Sequence, residues 1–213
     1  MDTDAQATPA WESSKENVLP IKRGRSAKGL AESKPGLTGL SSNDAHELAE
    51  AAFEAQLADA DTYNNEETGV DLRGVHKLAA YIQHLKWVRD TYPSSSDRAL
   101  QLLERCTYEL KSETSLQNDT RFVKLWIEYA DMVRTPGEIF TFMGANKIGE
   151  RVSLFWIAWA FVAEKAGGWK LTDQIFQKGT RRLAEPRDIL AKRYHQFQRR
   201  MARLYLNNLE EGE

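Results

Sequence analysis

The sequence predicts an all-α protein: stacked helical hairpins closed by a long C-terminal helix, preceded by an extended tail and one separate amphipathic helix. Three observations predict it. Apolar residues recur at three- and four-residue spacing from about residue 42 onward. No Val/Ile/Thr-rich alternating run appears, so strands are absent from the expectation. Apolar content is also divided: Leu, Ile, Val and Phe make up 10 of residues 1–70 but 36 of the 143 residues 71–213. The last two thirds can therefore bury a core, and the first third is poor core material.

The predicted organisation has three parts. Residues 1–40 carry Pro9, Pro20 and Pro35 with Gly24, Gly29, Gly36 and Gly39, a density of breakers that no helical stripe survives. An extended tail follows from this. Residues 41–70 hold an amphipathic helix with Ala45, Leu48, Ala49, Ala52, Phe53, Leu57 and Ala60 on one stripe, then an acidic linker. Asn43 and Asp44 are its candidate caps, with Asp44 and Glu47 in capping-box spacing. Residues 71–213 form the helical domain.

Within that domain, Val75, Leu78, Ile82, Leu85 and Val88 stripe a helix that ends before Pro93. Ser94 to Asp97 caps the next, which carries Leu100, Leu103 and Leu110. Phe122, Leu125, Trp126, Tyr129 and Val133 mark the third. Thr135-Pro136-Gly137-Glu138 starts the fourth, with Pro at the first helical position. Residues 151–165 are aromatic on most sides, which predicts a helix sandwiched by neighbours. Leu171, Ile175, Phe176 and Leu183 stripe the sixth, closed by Glu185-Pro186. The last runs from about Arg187 to Asn207 with Leu190, Tyr194, Phe197, Met201 and Leu204 facing inward.

Leu103, Phe140 and Phe176 occupy similar places in the second helix of each pair and lie 37 and 36 residues apart. That period is close to the tetratricopeptide (TPR) helix-turn-helix repeat. A single hairpin leaves one apolar face uncovered; stacking three hairpins under a capping helix covers them. The fold class is therefore a TPR-like superhelix.

No catalytic string is present: no GxxxxGK[ST], GxGxxG after a strand, HRD, DFG, GxSxG or HExxH. The histidines His46, His76, His84 and His195 lack metal-ligand spacing, and no cofactor is expected. Cys106 alone cannot form an internal disulfide and fits a reducing compartment. The longest apolar run, Leu154 to Ala163, is too short to span a bilayer, so no membrane partner is expected. The basic stretch Lys178 to Arg203 spreads its charge around a helix without interleaved exposed aromatics, so no nucleic-acid partner is expected either. Charge is uneven: residues 41–70 hold eight acids and no Lys or Arg, while residues 71–213 carry a net +5. Opposed surfaces of this kind steer partners.

The tail holds the informative residues, Lys15-Glu16-Asn17. Average amino-acid usage gives such a tripeptide by chance on the order of 0.03 times in a chain of this length. It sits in unpacked chain, with Pro20 three residues on and Trp11 as an upstream apolar anchor. A cation, an anion and an amide in succession offer a salt bridge and hydrogen bonds to a small polar pocket. The stretch Trp11-Glu12-Ser13-Ser14-Lys15-Glu16-Asn17-Val18-Leu19-Pro20, continuing to Gly24-Arg25, resembles the first KEN-box region of the BubR/Mad spindle-checkpoint family. Arg121-Phe122-x-x-Leu125-Trp126, Ile175-Phe176-Gln177-x-Gly179 and Ala184-Glu185-Pro186 resemble the same family's TPR domain.

The resemblance implies inhibition rather than catalysis. Lys15, Glu16 and Asn17 would occupy the degron pocket of the WD-repeat co-activator of the anaphase-promoting complex, flanked by Trp11, Val18 and Pro20. The chain would act as a pseudosubstrate in the mitotic checkpoint complex, beside a HORMA-domain protein in its closed form. A kinetochore scaffold peptide on the TPR domain is a further implied partner, and nucleus, cytoplasm and mitotic kinetochore are the implied locations. The helix at 43–60, through Leu48 and Phe53, is expected to dock on a partner in preference to the repeat domain. Two alternatives stay open: a KEN degron in a substrate of the ligase, and a helical-repeat scaffold for RNA processing.

Overall fold

The computed structural model describes residues 42–62 and 72–210. The tail with Trp11, Lys15, Glu16, Asn17, Val18 and Pro20, and most of the acidic linker, lie outside these residues. Eight α-helices make up the described residues: α1 Ser42–Thr62, α2 Arg73–Thr91, α3 Ser96–Leu110, α4 Thr120–Met132, α5 Pro136–Ala145, α6 Ser153–Lys165, α7 Trp169–Arg181 and α8 Arg187–Glu210. A short 3-10 turn, Thr114–Leu116, links α3 to α4. Among the described residues there is no strand, only an isolated parallel bridge between Val152 and Glu185.

Helices α2–α3, α4–α5 and α6–α7 form three hairpins stacked in order, and α8 closes the stack against α6 and α7. Leu103, Phe140 and Phe176 each fall in the second helix of a hairpin, and all three are buried. The repeat period thus reports equivalent core positions. The start signals also work locally. Asp119 caps α4 by accepting the Arg121 amide at 2.7 Å, and Pro136 opens α5 where its missing N–H costs nothing. Ser95 stands at the N-cap of α3 but makes no side-chain cap bond.

Helix α6 packs on α4, α5, α7 and α8, as its all-round aromatic content requires. Its Trp156 is fully buried and donates its ring N–H to the Glu150 carbonyl at 2.9 Å. Gly179 of α7 lies directly against that indole: a Cβ there would fall 2.6 Å from Trp156 Cγ. This close approach gives the Gly of Ile175-Phe176-Gln177-x-Gly179 a physical reason. Ala184-Glu185-Pro186 has one too. The Glu185 amide donates to the Arg151 carbonyl and the Ser153 amide to the Glu185 carbonyl, both at 2.8 Å, tying the chain before α8 to the chain before α6.

Several inward assignments differ from the sequence reading. Leu171 is exposed because the buried stripe of α7 runs through Thr172, Ile175, Phe176 and Gly179, one residue round the helix. Leu183 is exposed because α7 ends at Arg181 and Leu183 takes a left-handed turn with φ 57°. Leu204 is exposed because α8 outruns its neighbours after the half-buried Met201. Conversely, Leu116, Ile148 and Ala184 are wholly buried although they sit between α-helices.

Candidate partner-binding site

The N-terminal edge of the helical body follows directly on the tail that carries the tripeptide, and α1 is its outermost element. Its three-to-four spacing builds a face through His46, Phe53, Leu57 and Ala60. Leu57 and Ala60 are buried. Phe53 stacks on His84 of α2 with ring centroids 4.4 Å apart and planes 9° from parallel, and Trp87 stands 5.8 Å away. His46 meets Trp87 and Tyr92 edge-on, and its Nδ1 pairs with the Tyr92 hydroxyl at 3.1 Å. These rings form an aromatic box between α1 and the end of α2.

Charge completes the attachment. Arg98 of α3 donates to Glu50 at 3.0 Å and lies 4.1 Å above the Tyr92 ring. Arg105 holds both carboxylate oxygens of Glu54, with one contact at 2.9 Å, and reaches Glu109 at 3.0 Å. The Tyr81 hydroxyl donates to the other Glu109 oxygen at 2.6 Å. Hydrogen bonds from the Arg105 guanidinium hold the Glu54 carboxyl below the usual carboxylate range, and Coulomb attraction adds to this. Burial, reinforced by the Glu109 bond, pushes the Tyr81 phenol well up. Burial also lowers the His84 imidazole, whose Nδ1 has no hydrogen-bond partner among the described residues. A neutral imidazole stacked on a phenyl ring suits that site; an imidazolium would have to lose its water there.

The acidic stripe of α1 therefore finds its basic surface within the same chain. The sequence favoured a partner groove for this helix; in the structure α1 lies on the first hairpin. Phe53, expected to meet a partner, is half-buried against His84 and Trp87. Leu48 is 64% exposed on the opposite side and makes no part of this packing. Arg98, Arg105 and Tyr92 were not singled out from the sequence, and His84 was weighed there only as a metal ligand, although the eight-acid block opposite a basic domain was the signal for the two arginines. Cys106 is buried and its thiol is pushed up to about 12 by desolvation, so it behaves as a small apolar side chain. Among the described residues no group of three or more His, Cys, Asp or Glu is placed to hold a metal ion.

Residues 49–180 match the Mad3/BUB1 homology region 1. The mitotic spindle checkpoint component mad3 of Schizosaccharomyces pombe is 30% identical over 192 residues, covering 89% of this chain and 58% of that protein. Mitotic checkpoint serine/threonine-protein kinase BUB1 beta of Mus musculus is 31% identical over 208 residues, 94% of this chain and 18% of the relative. The chain thus spans about a fifth to rather more than half of these relatives. A chain of the crystal structure of the mitotic checkpoint complex superposes with a TM-score of 0.68 at 29% identity, covering 89% of this chain and 84% of that one. The N-terminal domain of the checkpoint component BUB1 superposes at 0.62 and 20% identity over 75% of this chain and 79% of that one, a likeness of fold.

Proposed function

The chain belongs to the Mad3/BUB1 homology region 1 family, and from that premise we propose that it is a spindle-checkpoint component that inhibits the anaphase-promoting complex as a pseudosubstrate. Lys15, Glu16 and Asn17 enter the degron pocket on the WD-repeat propeller of the co-activator, and Trp11, Val18 and Pro20 flank them. The helical body then holds that propeller and a closed HORMA-domain protein in one assembly. The chain performs no chemistry of its own in this role.

A single observation carries the reading: a KEN tripeptide lies 34 residues upstream of the first residue matched to the family, in a stretch rich in prolines and glycines. The likeness to a chain of the mitotic checkpoint complex supports it. Purified chain is tested against the co-activator propeller in a pull-down, with and without the HORMA-domain protein. Binding that strengthens with the HORMA-domain protein and disappears on Lys15→Ala with Glu16→Ala and Asn17→Ala is the expected result. Ligase-dependent ubiquitination of Lys22, Lys28 or Lys34 without inhibition would instead make the tripeptide a plain degron.

A further inference from the structure

The stack of hairpins ends in two helices, α1 and α8, each packed on one side and bare on the other. In α8 the 3.6-residue period turns Leu190, Tyr194, Phe197 and Met201 toward the body. The opposite side carries Ile189, Lys192, Arg199, Arg203 and Leu206, all exposed. The three cations form no ion pair among the described residues, and Asp188 in the first turn is the one acid among the described side chains of that face. Ile189 and Leu206 are 45% and 57% exposed, so a large apolar side chain stands at each end of the basic row. Arginine beside large apolar side chains is the composition of a contact surface.

The other end has the opposite sign. With His46, Phe53, Leu57 and Ala60 on the first hairpin, the far side of α1 runs through Leu48, Ala51 and Ala55. Glu47 stands on one flank of that side and Asp59 on the other, and all five residues are exposed. Arg98 and Arg105 occupy Glu50 and Glu54, whereas Glu47 and Asp59 form no ion pair among the described residues. Residues 41–70 hold no Lys or Arg that could offset them. The small side chains of Ala51 and Ala55 let a second helix axis come close, which brings long cationic side chains within reach of both acids. The spans agree: Glu47 and Asp59 lie about 18 Å apart along the helix axis, Lys192 and Arg203 about 16 Å.

We propose that the outer face of α8 docks on the outer face of α1 of a second copy of this chain, so that copies add end to end. Charge selects this occupant. Two copies meeting α8 to α8 would set Lys192, Arg199 and Arg203 against the same cations, and α1 to α1 would set acid against acid. Of the three pairings, α8 on α1 alone brings opposite signs together. Leu48 supplies the apolar contact on its side, and Ile189 and Leu206 on theirs. The contact is heterologous: every added copy leaves one α1 face and one α8 face open, so growth continues past a dimer. One helix laid on another buries an area at the low end of specific interfaces, which makes the association weak and reversible. None of these residues lies in the tail, so the proposal stands or falls separately from the KEN reading.

The test is sedimentation equilibrium of the intact chain from about 1 μM to 1 mM, the span of weak affinities. The weight-average mass should climb past that of a dimer, and added salt should bring it down. Arg199→Glu with Arg203→Glu should hold the chain at monomer mass, and so should Glu47→Lys with Asp59→Lys. All four replaced side chains are exposed, so an unchanged melting temperature is the fold control. Mixing the two double variants restores opposite signs at every junction, reversed at one and natural at the next, so the mass should rise again. Should either variant melt early, Leu48→Ser decides in its place, with association weakened about tenfold. Monomer mass throughout the series on the natural chain would overturn the proposal. So would growth that stops at a dimer, growth that survives either charge reversal or Leu48→Ser, or a mixture that stays monomeric.

Discussion

Where α7 meets α6, Trp156 is buried against the bare backbone of Gly179 and ringed by Phe155 and Trp159. Where α1 meets α2 and α3, the contact is a half-buried Phe53 on His84, an aromatic box, and two arginine–carboxylate pairs whose side chains are 43% to 51% exposed. Both attachments join neighbouring helices through aromatic side chains. The first is dry and closely fitted, so its strength derives from burial and packing. The second depends on charge and protonation state, so salt and pH reach it first. An N-terminal helix held in this way can give up its place without unfolding the repeats beneath it.

The largest expected effect lies at the dry contact. Trp156→Ala should cost about 3–5 kcal/mol through lost burial and an unfilled cavity, read as a fall in the urea midpoint of the whole domain. Placing a side chain on Gly179 should act in the same direction by overpacking, by about 1–3 kcal/mol. A loss confined to α7 would show that the hairpins do not unfold as one unit.

At the other interface, Phe53→Ala should cost about 1 kcal/mol, the scale of one ring pair. It should raise amide exchange over residues 43–60 and leave 153–165 protected. Equal loss of protection in both segments would erase the distinction between the two attachments.

The pH response sharpens the comparison further. Burial depresses the folded-state value of His84, so its contribution is fully present above the unfolded imidazole value near 6.5 and declines as pH falls below it. Melting temperature should therefore drop between about pH 7 and 5. His84→Phe, which keeps the stack on Phe53, should remove that part of the drop. Glu54, also depressed, loses its contribution only below the ordinary carboxylate range, so the two groups separate along the pH axis. The smallest effect is Glu54→Gln: at most about 1 kcal/mol, and less as salt is added, because the pair is solvent-screened. Insensitivity to salt would mean that geometry rather than charge holds α1.

This contrast also explains what the sequence could disclose. Helical periodicity records burial, so the hairpins and the repeat positions Leu103, Phe140 and Phe176 were legible in it. It records less about register at helix ends: Leu171, Leu183 and Leu204 fit the stripes yet face solvent, because a stripe does not say where the neighbour stops. Leu116, Ile148 and Ala184 escaped for the opposite reason, being buried in connections that carry no period. At the candidate site, Phe53 was readable as an anchor, but its counterpart was not. The stacking partner His84 and the arginines at 98 and 105 come from helices distant in sequence, and only the fold brings them together. The KEN tripeptide is the reverse case: a short contiguous motif is read from its residues alone.

The pseudosubstrate role is tested most directly by ubiquitination of a KEN-bearing substrate, with ligase, co-activator and HORMA-domain protein present. The natural chain should block the reaction. Lys15→Ala with Glu16→Ala and Asn17→Ala should restore it while leaving the melting temperature within the small range of surface changes, about 0.5 kcal/mol of stability. Equal inhibition by the triple variant, or a melting temperature many degrees lower, would contradict the role assigned to the tripeptide.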